Sequence, residues 1–560
     1  MSSSATTALV GGSVYTLDAA RPWAQACAIR GDRLIAVGSE AEVREACGPS
    51  AEVIDLKGQM VVPGFQDSHV HPPMGGVEML RCDLTVGRSR RDYLAIVSSY
   101  ATAHPELEWI QGGGWSMPAF PNGLPSASDL DDVVGARPVY LPNRDHHSAW
   151  VSSRALELAG ITADTPDPID GRIERDGSGR PTGALHDGAM TLVERILPAL
   201  SPQDYIEGIL AAQAYLHSLG ITAWQDAWVT STPSQDSFGA YLSLAGDGRL
   251  TARVVAAHMW ERGRGAEQVE GFLALRSAAA GADRLRASSV KIMQDGVCET
   301  FTAAMLTPYL DVHGHATDKC GISFVDPESL KEDVTLLDTE GFQVHVHAIG
   351  DRAVREALDA FEAARAANGP SGLRHHMAHL QVVHPDDLGR FARLGVAANF
   401  QPLWACADEQ MVELTMPFLG PERSALQYPI GSVMSRGGPV AFGSDWPVSS
   451  PDPLAQLHVA VNRRAPEGLH YGGDGEPNDV PFLPDERIGL AEALRAFTLG
   501  SAYVNNLDGE TGSLEVGKLA DLAVIDRNIF ELDDRDGGIA GARVTMTMVG
   551  GDVVYERAGA

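Results

Sequence analysis

Cysteine is scarce in this chain, and its few cysteines stand far apart. Only six occur among 560 residues, and no two of them form a Cys-x-x-Cys pair. A disulfide framework or a thiolate zinc site needs a set of suitably spaced cysteines, so this pattern argues against both. The six are Cys27, Cys47, Cys82, Cys298, Cys320 and Cys406.

Long hydrophobic runs are missing too. Hydrophobic residues make up 44% of the chain, but no stretch reaches the roughly 18 apolar residues of a membrane span. The first seven residues, MSSSATT, have neither the basic nor the apolar region of an export signal. The sequence therefore predicts a globular cytoplasmic protein.

Positive charge is in the minority. Lys and Arg number 43 against 74 Asp and Glu, which leaves a formal net charge of −31. Such an excess of negative charge repels phosphate groups, so neither nucleic acid nor an anionic membrane is an expected partner. The charge mildly favours neutral or cationic small-molecule substrates, although a solvated acidic surface explains it as well.

Phosphate-binding glycine motifs are also absent. There is no Gly-x-Gly-x-x-Gly after an early strand and no Gly-x-x-x-x-Gly-Lys-Ser/Thr, so a nucleotide-binding sheet has little support. The middle of the chain instead alternates strand-like segments, such as 342–347, with helix-like ones, such as 351–367. This alternation predicts βα units around a parallel sheet, in either a barrel or a doubly wound fold.

The two ends of the chain share a different sequence pattern, in which short predicted strands are separated by Gly-Gly and Gly-Asp turns. Neither end alone has enough strands for a stable sheet. We expect residues 1–62 and 505–560 to form one small β-sandwich domain, with the α/β domain of residues 63–504 inserted between them. Residues from about 75 to 200 break the alternation and predict an insertion that covers the site.

Several predicted strands end in residues that bind metals. His69 and His71 end the first strand, and His345 and His347 repeat their spacing. Lys291 lies inside an apolar strand, where a charged lysine is costly unless it is paired or modified. Nitrogen and oxygen ligands without sulfur suit zinc, with iron, manganese, nickel or cobalt as alternatives.

Motifs along nearly the whole chain resemble the amidohydrolase superfamily. The segment 63–71, PGFQDSHVH, is similar to its first-strand motif, and 512–524, GSLEVGKLADLAV, to its return into a β-sandwich. Four further segments resemble the YtcJ-like branch (amidohydrolase family 3), which includes N-substituted formamide deformylases: DHHSAWV at 145–151, KIMQDG at 291–296, HAIGDRA at 347–353 and GSDWPV at 443–448. The resemblance implies a (β/α)₈ TIM-type barrel with active-site residues at the carboxyl ends of its strands.

Metal ligands follow from this resemblance, residue by residue. It implies one or two Zn²⁺ ions held by His69, His71, Lys291, His347, His379 and Asp445, with Lys291 as N6-carboxylysine bridging two metals. One position departs from the family pattern, because Ala378 stands where members usually have glutamate.

Hydrolysis is the reaction that this ligand set predicts. A metal activates water and polarises a carbonyl, and Asp445 is the expected general base and acid for cleavage of a C–N bond in an amide or an N-formyl or N-acyl group. Candidate substrate contacts are Trp115, His147, Cys298, Glu299 and His345. Two alternatives stay open: a deaminase acting on a ring carbon, weakened by Ala378, and a non-catalytic metal-binding or regulatory barrel. A homodimer is expected only because symmetric dimers are common.

Overall fold

The computed structural model of the chain describes residues 6–232, 235–467, 480–532 and 538–558. The outermost residues of the two predicted end segments, 1–5 and 559–560, lie outside these ranges, as do residues 533–537 of the second segment. Every site residue predicted from the sequence lies inside them.

The first seven strands belong to the N-terminal segment. They are β1 (Thr6–Val10), β2 (Ser13–Tyr15), β3 (Trp23–Ala24), β4 (Ala26–Arg30), β5 (Arg33–Gly38), β6 (Glu52–Asp55) and β7 (Met60–Pro63). Helix α1 (Glu40–Cys47) follows β5 and begins at a capping box, in which Ser39 and Glu42 satisfy each other's backbone N–H groups.

Eight parallel strands form the centre of the molecule and follow one another around a nearly closed barrel in sequence order. The first, β8 (Phe65–Val70), is separated from the others by an insertion with its own six-stranded sheet: β9 (Cys82–Asp83), β10 (Ile110–Gly113), β11 (Val139–Pro142), β12 (Ser148–Val151), β13 (Gly171–Arg175) and β14 (Pro181–Asp187). The remaining barrel strands are β15 (Ile221–Val229), β16 (Arg253–Met259), β17 (Leu285–Met293), β18 (Gln343–Ala348), β19 (His376–His379), β20 (Ala397–Phe400) and β21 (Val440–Phe442).

Helices alternate with these strands, as the sequence pattern predicts. Those between β8 and β15 are α2 (Pro72–Met79), α3 (Arg90–Ala103), α4 (Ala127–Val134), α5 (Ser153–Ala159), α6 (Thr191–Glu194) and α7 (Pro202–Ser218). Those from β15 to β21 are α8 (Ser237–Gly246), α9 (Val269–Ala278), α10 (Pro327–Thr339), α11 (Asp351–Asn368), α12 (Leu388–Leu394), α13 (Met416–Ser424) and α14 (Ile430–Ser435). After β21 come α15 (Pro453–Asn462), α16 (Leu490–Arg495) and α17 (Ser501–Val504).

The C-terminal strands return to the N-terminal ones. They are β22 (Leu522–Ile525), β23 (Val544–Val549) and β24 (Asp552–Glu556), and they join β7, β2 and β3 in one six-stranded sheet, in which β22 pairs with β7. A second sheet contains β5, β4, β1 and β6. Buried side chains from both ends, among them Leu9, Val61, Leu522 and Met548, pack in a common core.

Among the helices that the structure describes, none is both long and apolar enough to cross a membrane.

Candidate metal centre

The six residues predicted as metal ligands meet at the carboxyl ends of the barrel strands. His69 lies near the end of β8, Lys291 in β17, His347 in β18 and His379 at the end of β19, while His71 and Asp445 follow β8 and β21. All six side chains are buried. Neighbouring strands are in parallel register: Met293 of β17 lies opposite His347 of β18, and Ala348 of β18 lies opposite His379 of β19. This register brings the ligands of neighbouring strands to similar levels along the barrel axis.

Close backbone contact between the first and last strands positions Asp445. Its N–H donates to the His69 carbonyl at 2.8 Å, and Asp445 takes the left-handed conformation with φ 56°. Gly443 makes this approach feasible, because a Cβ there would stand 2.6 Å from the His69 nitrogen. Buried Asp67 ties the strands together further, since its Oδ1 accepts from the N–H groups of His69 and Ser444, each at 3.0 Å.

Asp445 is the centre of the cluster. Its Oδ1 lies 3.0 Å from Nε2 of His69 and 2.8 Å from Nε2 of His71, and its Oδ2 lies 3.8 Å from Nδ1 of His379. His69, His379 and Asp445 each offer a ligand atom, and these three atoms lie within 4.8 Å of one another. The ring of His347 is next, 4.5 Å from the ring of His379.

A chain of buried amides sets the tautomer of His69. Gln343 Nε2 donates to the carbonyls of Arg374 and Val504, so its Oε1 accepts from Gln225 Nε2 at 2.9 Å. Gln225 Oε1 can then only accept, and His345 Nδ1 donates to it at 2.7 Å. The other nitrogen of neutral His345 accepts from His69 Nδ1 at 2.7 Å. The lone pair of His69 is thereby left on Nε2, which faces Asp445 and the cluster.

His347 is oriented by a carboxylate. Its Nδ1 donates to Asp295 Oδ1 at 3.0 Å, which leaves Nε2 as its free lone pair. Burial raises the pKa of Asp295 to about 7, against hydrogen bonds from the N–H groups of Gly350, Ile349 and Ala304 that lower it. Carboxylate–histidine pairs of this kind commonly orient metal-binding imidazoles.

Lys291 is buried beside these groups. Burial lowers the pKa of its amine to about 7, and the charge of Asp445 opposes this shift. Among the described residues, none forms a hydrogen bond or an ion pair with its Nζ. A buried lysine with a depressed pKa is partly neutral near pH 7, which is the form that reacts with electrophiles.

An imidazole nitrogen without a partner tests the fit of a metal. His379 Nδ1, which faces Asp445, is buried without a hydrogen bond, although buried polar atoms are nearly always satisfied. His71 Nδ1 is unpartnered as well, but it is Nε2 of that ring that faces Asp445. Burial, together with the neighbouring His347, Lys291 and His71 charges, holds the pKa of His379 well below its usual range, so the ring is neutral and can ligate. The nitrogen and oxygen donors fit a divalent transition metal.

A cavity of about 760 Å³ opens onto the cluster. Barrel strands and the segments that follow them supply apolar surface, with Trp228 in β15, Trp260 after β16, Phe272 in α9 and Phe324 after β17. The insertion also lines the cavity, with His147, Asp187, Met190 and Glu194 among its residues. This size is in the range of small-molecule sites.

His147 reaches the cavity from the insertion, as a substrate contact would. Its Nδ1 lies 2.6 Å from Asp187 Oδ1, and its ring stands 5.9 Å from the ring of His347. Although burial lowers the pKa of His147, the hydrogen bond and the charge of Asp187 raise it to about 9. The pair thus places a cationic imidazole beside the predicted metal ligands.

Four other predicted substrate contacts do not line the cavity. Trp115 is packed among aromatic rings in the core of the insertion, and its Nε1 donates to the Leu141 carbonyl at 2.8 Å. Cys298 lies in a separate apolar cluster, and Glu299 accepts from Thr415 Oγ1. His345 lies behind His69, where it positions that ligand. For Trp115 and Cys298, apolar packing determines the position; for Glu299 and His345, a buried hydrogen bond does.

Several residues at the site were not among the candidates from the sequence. Gln225, Gln343, Asp67 and Asp295 support the ligands, and Asp187 holds His147. Asp67 and Asp295 lie inside the motifs at 63–71 and 291–296, so the resemblance is a signal that could have found them. For the two glutamines the available signal is a buried polar residue inside an apolar strand. Ala378 is buried opposite Asn399 and contributes no ligand, while the adjacent His379 keeps its place in the cluster.

A parallel barrel with histidines, a lysine and an aspartate at its carboxyl ends defines the class of barrel hydrolases. The chain belongs to the amidohydrolase family, whose model matches residues 52–555. This confirms the family inferred from the motifs. The protein is accordingly a hydrolytic enzyme.

Relatives match over nearly the full chain. Protein LONG AFTER FAR-RED 3 of Arabidopsis thaliana is 32% identical over 557 residues, covering 98% of this chain and 91% of the relative. The N-substituted formamide deformylase of Arthrobacter pascens is 28% identical over 568 residues, covering 98% of each. The crystal structure of an uncharacterized metal-dependent hydrolase from Pyrococcus furiosus aligns with a TM-score of 0.70 at 27% identity, covering 93% of this chain and 99% of that one.

Proposed function

We propose that this enzyme hydrolyses a C–N bond in a small molecule, an amide or an N-formyl or N-acyl compound. The observation that carries the proposal is the buried cluster of imidazoles around Asp445, with an unpartnered nitrogen on His379. The name of the formamide deformylase relative supports the choice of an amide bond.

His69, His71, Lys291, His347, His379 and Asp445 are the residues that would hold the metal, which we propose to be one or two Zn²⁺ ions. When bound, a divalent metal supplies the Lewis acidity that acidifies water and polarises a carbonyl. The protein contributes the orientation: the chain from Gln343 to His345 keeps the lone pair of His69 on Nε2, and Asp295 keeps that of His347 on Nε2.

Lys291 enters the ligand set as a carbamate. An ammonium has no lone pair to donate to a metal. The neutral amine attacks CO₂, a new N–C bond forms as one C–O π bond opens, and one proton is released, so that the resulting N6-carboxylysine presents two oxygens that share one negative charge. The depressed pKa of Lys291 and the absence of a described partner for its Nζ support this modification.

Asp445 is the proton carrier of the reaction. Its carboxylate takes a proton from the attacking water and delivers it to the departing nitrogen, so that an amide and water become a carboxylic acid and an amine. Oδ1 faces Nε2 of His69, which carries a lone pair, and Nε2 of His71, so it lies on the side where the metal would be held, whereas Oδ2 lies 3.8 Å from Nδ1 of His379. Oδ2 is therefore the oxygen assigned to proton transfer.

The test combines metal analysis with one variant. We expect purified full-length protein to contain one or two equivalents of zinc and Lys291 to carry the mass of one added CO₂. Asp445→Asn is expected to lower kcat on N-formyl and N-acyl amides by at least about 100-fold. A protein without stoichiometric metal whose Asp445→Asn form keeps full activity would contradict the mechanism.

Two broader proposals accompany the chemistry. We assign residues 1–62 and 505–560 to one β-sandwich domain and 63–504 to the barrel, with the insertion at about 75–200 covering the site; the shared core of the two ends supports this division. A cytoplasmic location is supported by six free cysteines, five of them buried. The homodimer remains a prediction, to be checked by the mass of the protein in solution.

A further inference from the structure

Asp187 lies at the C-terminal end of β14, an interior strand of the insertion sheet, in an unusual backbone conformation. It is the last residue of β14, one residue beyond the Ser148–His186 pair that joins β12 to β14. Its N–H donates to the His147 carbonyl at 3.0 Å, so the two residues face each other across the strand ends. Its φ of 46° is left-handed, a conformation that non-glycine residues rarely adopt and that is often found at functional sites.

Only half of the Asp187 carboxylate is satisfied. Oδ1 accepts from His147 Nδ1 at 2.6 Å, whereas Oδ2 is buried and has no hydrogen-bond partner. The side chain is 5% exposed. A buried acceptor without a donor is energetically unfavourable, so the free oxygen calls for a donor from a molecule that enters the site.

A ligand bound in the cavity would supply such a donor. Asp187 lines this cavity together with the metal cluster, and its partner His147 stands against His347. Two other charged groups of the lining are engaged within the protein: Glu194 accepts from the Tyr140 hydroxyl at 2.6 Å, and Arg262 pairs with Asp170. Asp187 thus lines the cavity with one unpaired acceptor oxygen, and its partner His147 lies beside the predicted ligand His347.

We propose that Asp187 Oδ2 accepts a hydrogen bond from the N–H of the scissile amide, so the substrates are amides that retain this hydrogen. The inference rests on the proposed C–N hydrolysis and narrows its substrate class. In a trans secondary amide the N–H lies opposite the carbonyl oxygen, so a substrate whose carbonyl faces the predicted metal ligands would direct its N–H to another part of the lining, to which Asp187 belongs. His147 positions Asp187 by holding Oδ1.

An amide whose nitrogen is fully substituted leaves Oδ2 unpaired. A site built to bind an N–H discriminates against an analogue without it, because its buried polar group then stays unsatisfied. We expect a preference of at least about tenfold in kcat/KM for the N–H compound over its N-methyl counterpart. Removal of the acceptor should abolish most of this preference.

The experiment uses matched pairs of substrates with the metal-loaded full-length enzyme. N-butylformamide is compared with N-butyl-N-methylformamide, and N-butylacetamide with its N-methyl derivative, in wild type, Asp187→Ala and the control Glu194→Gln. Glu194→Gln removes one carboxylate from the same cavity and should keep the wild-type preference. Asp187→Ala should bring the preference to about one, mainly through slower reaction of the N–H compound.

Each outcome decides the proposal. A wild-type preference near one overturns it, and so does a preference that Asp187→Ala leaves unchanged, because discrimination would then be steric. If Asp187→Ala does not fold, Asp187→Asn, which suits the left-handed conformation and retains a weaker acceptor, should reduce the preference at least about threefold. If the enzyme hydrolyses none of the compounds, the proposed function fails. Calorimetric binding of the same compounds then tests Asp187 separately. Equal affinity for the N–H compound and its N-methyl counterpart, or no binding of either, overturns its role.

Discussion

At the scale of single residues, the site depends on side chains that touch no substrate. The lone pair of His69 is directed by Gln225 and His345, and the first determinant in that chain is a pair of backbone carbonyls that can only accept. Backbone groups cannot change tautomer. The orientation is therefore built into the barrel and does not depend on the metal.

Gln225→Leu tests this orientation. The substitution leaves His345 Nδ1 without its acceptor and frees His69 to adopt the other tautomer, so we expect metal affinity to fall about 10- to 100-fold. Competition with a chelator measures the change. Gln427→Leu is the matched control, because Gln427 is a buried glutamine bonded to Gln381 away from the imidazole chain; equal losses in both variants would contradict the assignment.

Because the pKa of Glu299 is raised in the folded state, we expect the free energy of unfolding to depend on pH. Burial raises this pKa to about 7, against a hydrogen bond from Thr415 that lowers it, while the unfolded value is near 4.3. The folded state therefore binds more protons, and the free energy of unfolding falls as pH rises from about 4.3 to about 7. Glu299→Gln removes this penalty.

We expect Glu299→Gln to be more stable than wild type by about 1–3 kcal/mol at pH 8, with the difference shrinking towards pH 5. Urea unfolding at both pH values measures it. The same difference at pH 5 and pH 8 would rule out an ionised, buried Glu299 as its cause.

At the scale of elements, the centre depends on how closely the first and last barrel strands approach. Gly443 lies against the backbone of His69, and Asp445, two residues later, has a left-handed backbone conformation. The insertion acts differently: its strands β12 and β14 present His147 and Asp187 to the cavity. Barrel strands thus supply the metal ligands, and the insertion supplies a wall of the substrate cavity.

Gly443→Ala should force these strands apart. A Cβ at 2.6 Å from the His69 nitrogen cannot be accommodated without a backbone shift, so we expect a loss of about 2–4 kcal/mol in stability and a large decrease in bound metal. Thermal unfolding and metal analysis measure both. Gly246→Ala, where nothing lies within 4 Å of the added carbon, is the control and should change stability by less than about 0.5 kcal/mol.

At the scale of the molecule, the barrel is bound to the sheets made by the chain ends. Arg253 at the start of β16 forms a two-point ion pair with Asp521, at 2.7 and 3.0 Å, and Asp521 also accepts from the Gly550 N–H at 2.7 Å. Both side chains are largely buried. Breaking a buried pair leaves one uncompensated charge, which costs more than the pair contributes when intact.

Asp521→Asn is therefore expected to destabilise the protein by about 3–5 kcal/mol, with little dependence on salt. Denaturant unfolding at low and high ionic strength measures this. Glu510→Gln, which weakens the exposed pair with Arg33, is the comparison and should cost much less. A similar small effect for Asp521→Asn would show that the pair does not bind the barrel to the end sheets.

Much of the barrel was predictable because its signals are local. Strand and helix alternation predicted α11 to within one residue of its observed end, Asn368. His71 is a finer case: the sequence pattern predicts it within the first strand, but β8 ends at Val70, and His71 is the N-cap of helix α2, which begins at Pro72. Proline is favoured at the first helical position, and this overrode the extended pattern.

The sequence by itself determined the family, the alternation of strands and helices and the candidates for the metal ligands, because periodicity and short motifs are written in contiguous residues. Only the tertiary structure decided which polar residues surround those ligands. Trp115 lies in the core of the insertion, His345 lies behind His69, and Asp187 lines the cavity. Their neighbours come from strands that are far away in the chain. Burial and hydrogen-bond geometry between such segments exist only after folding.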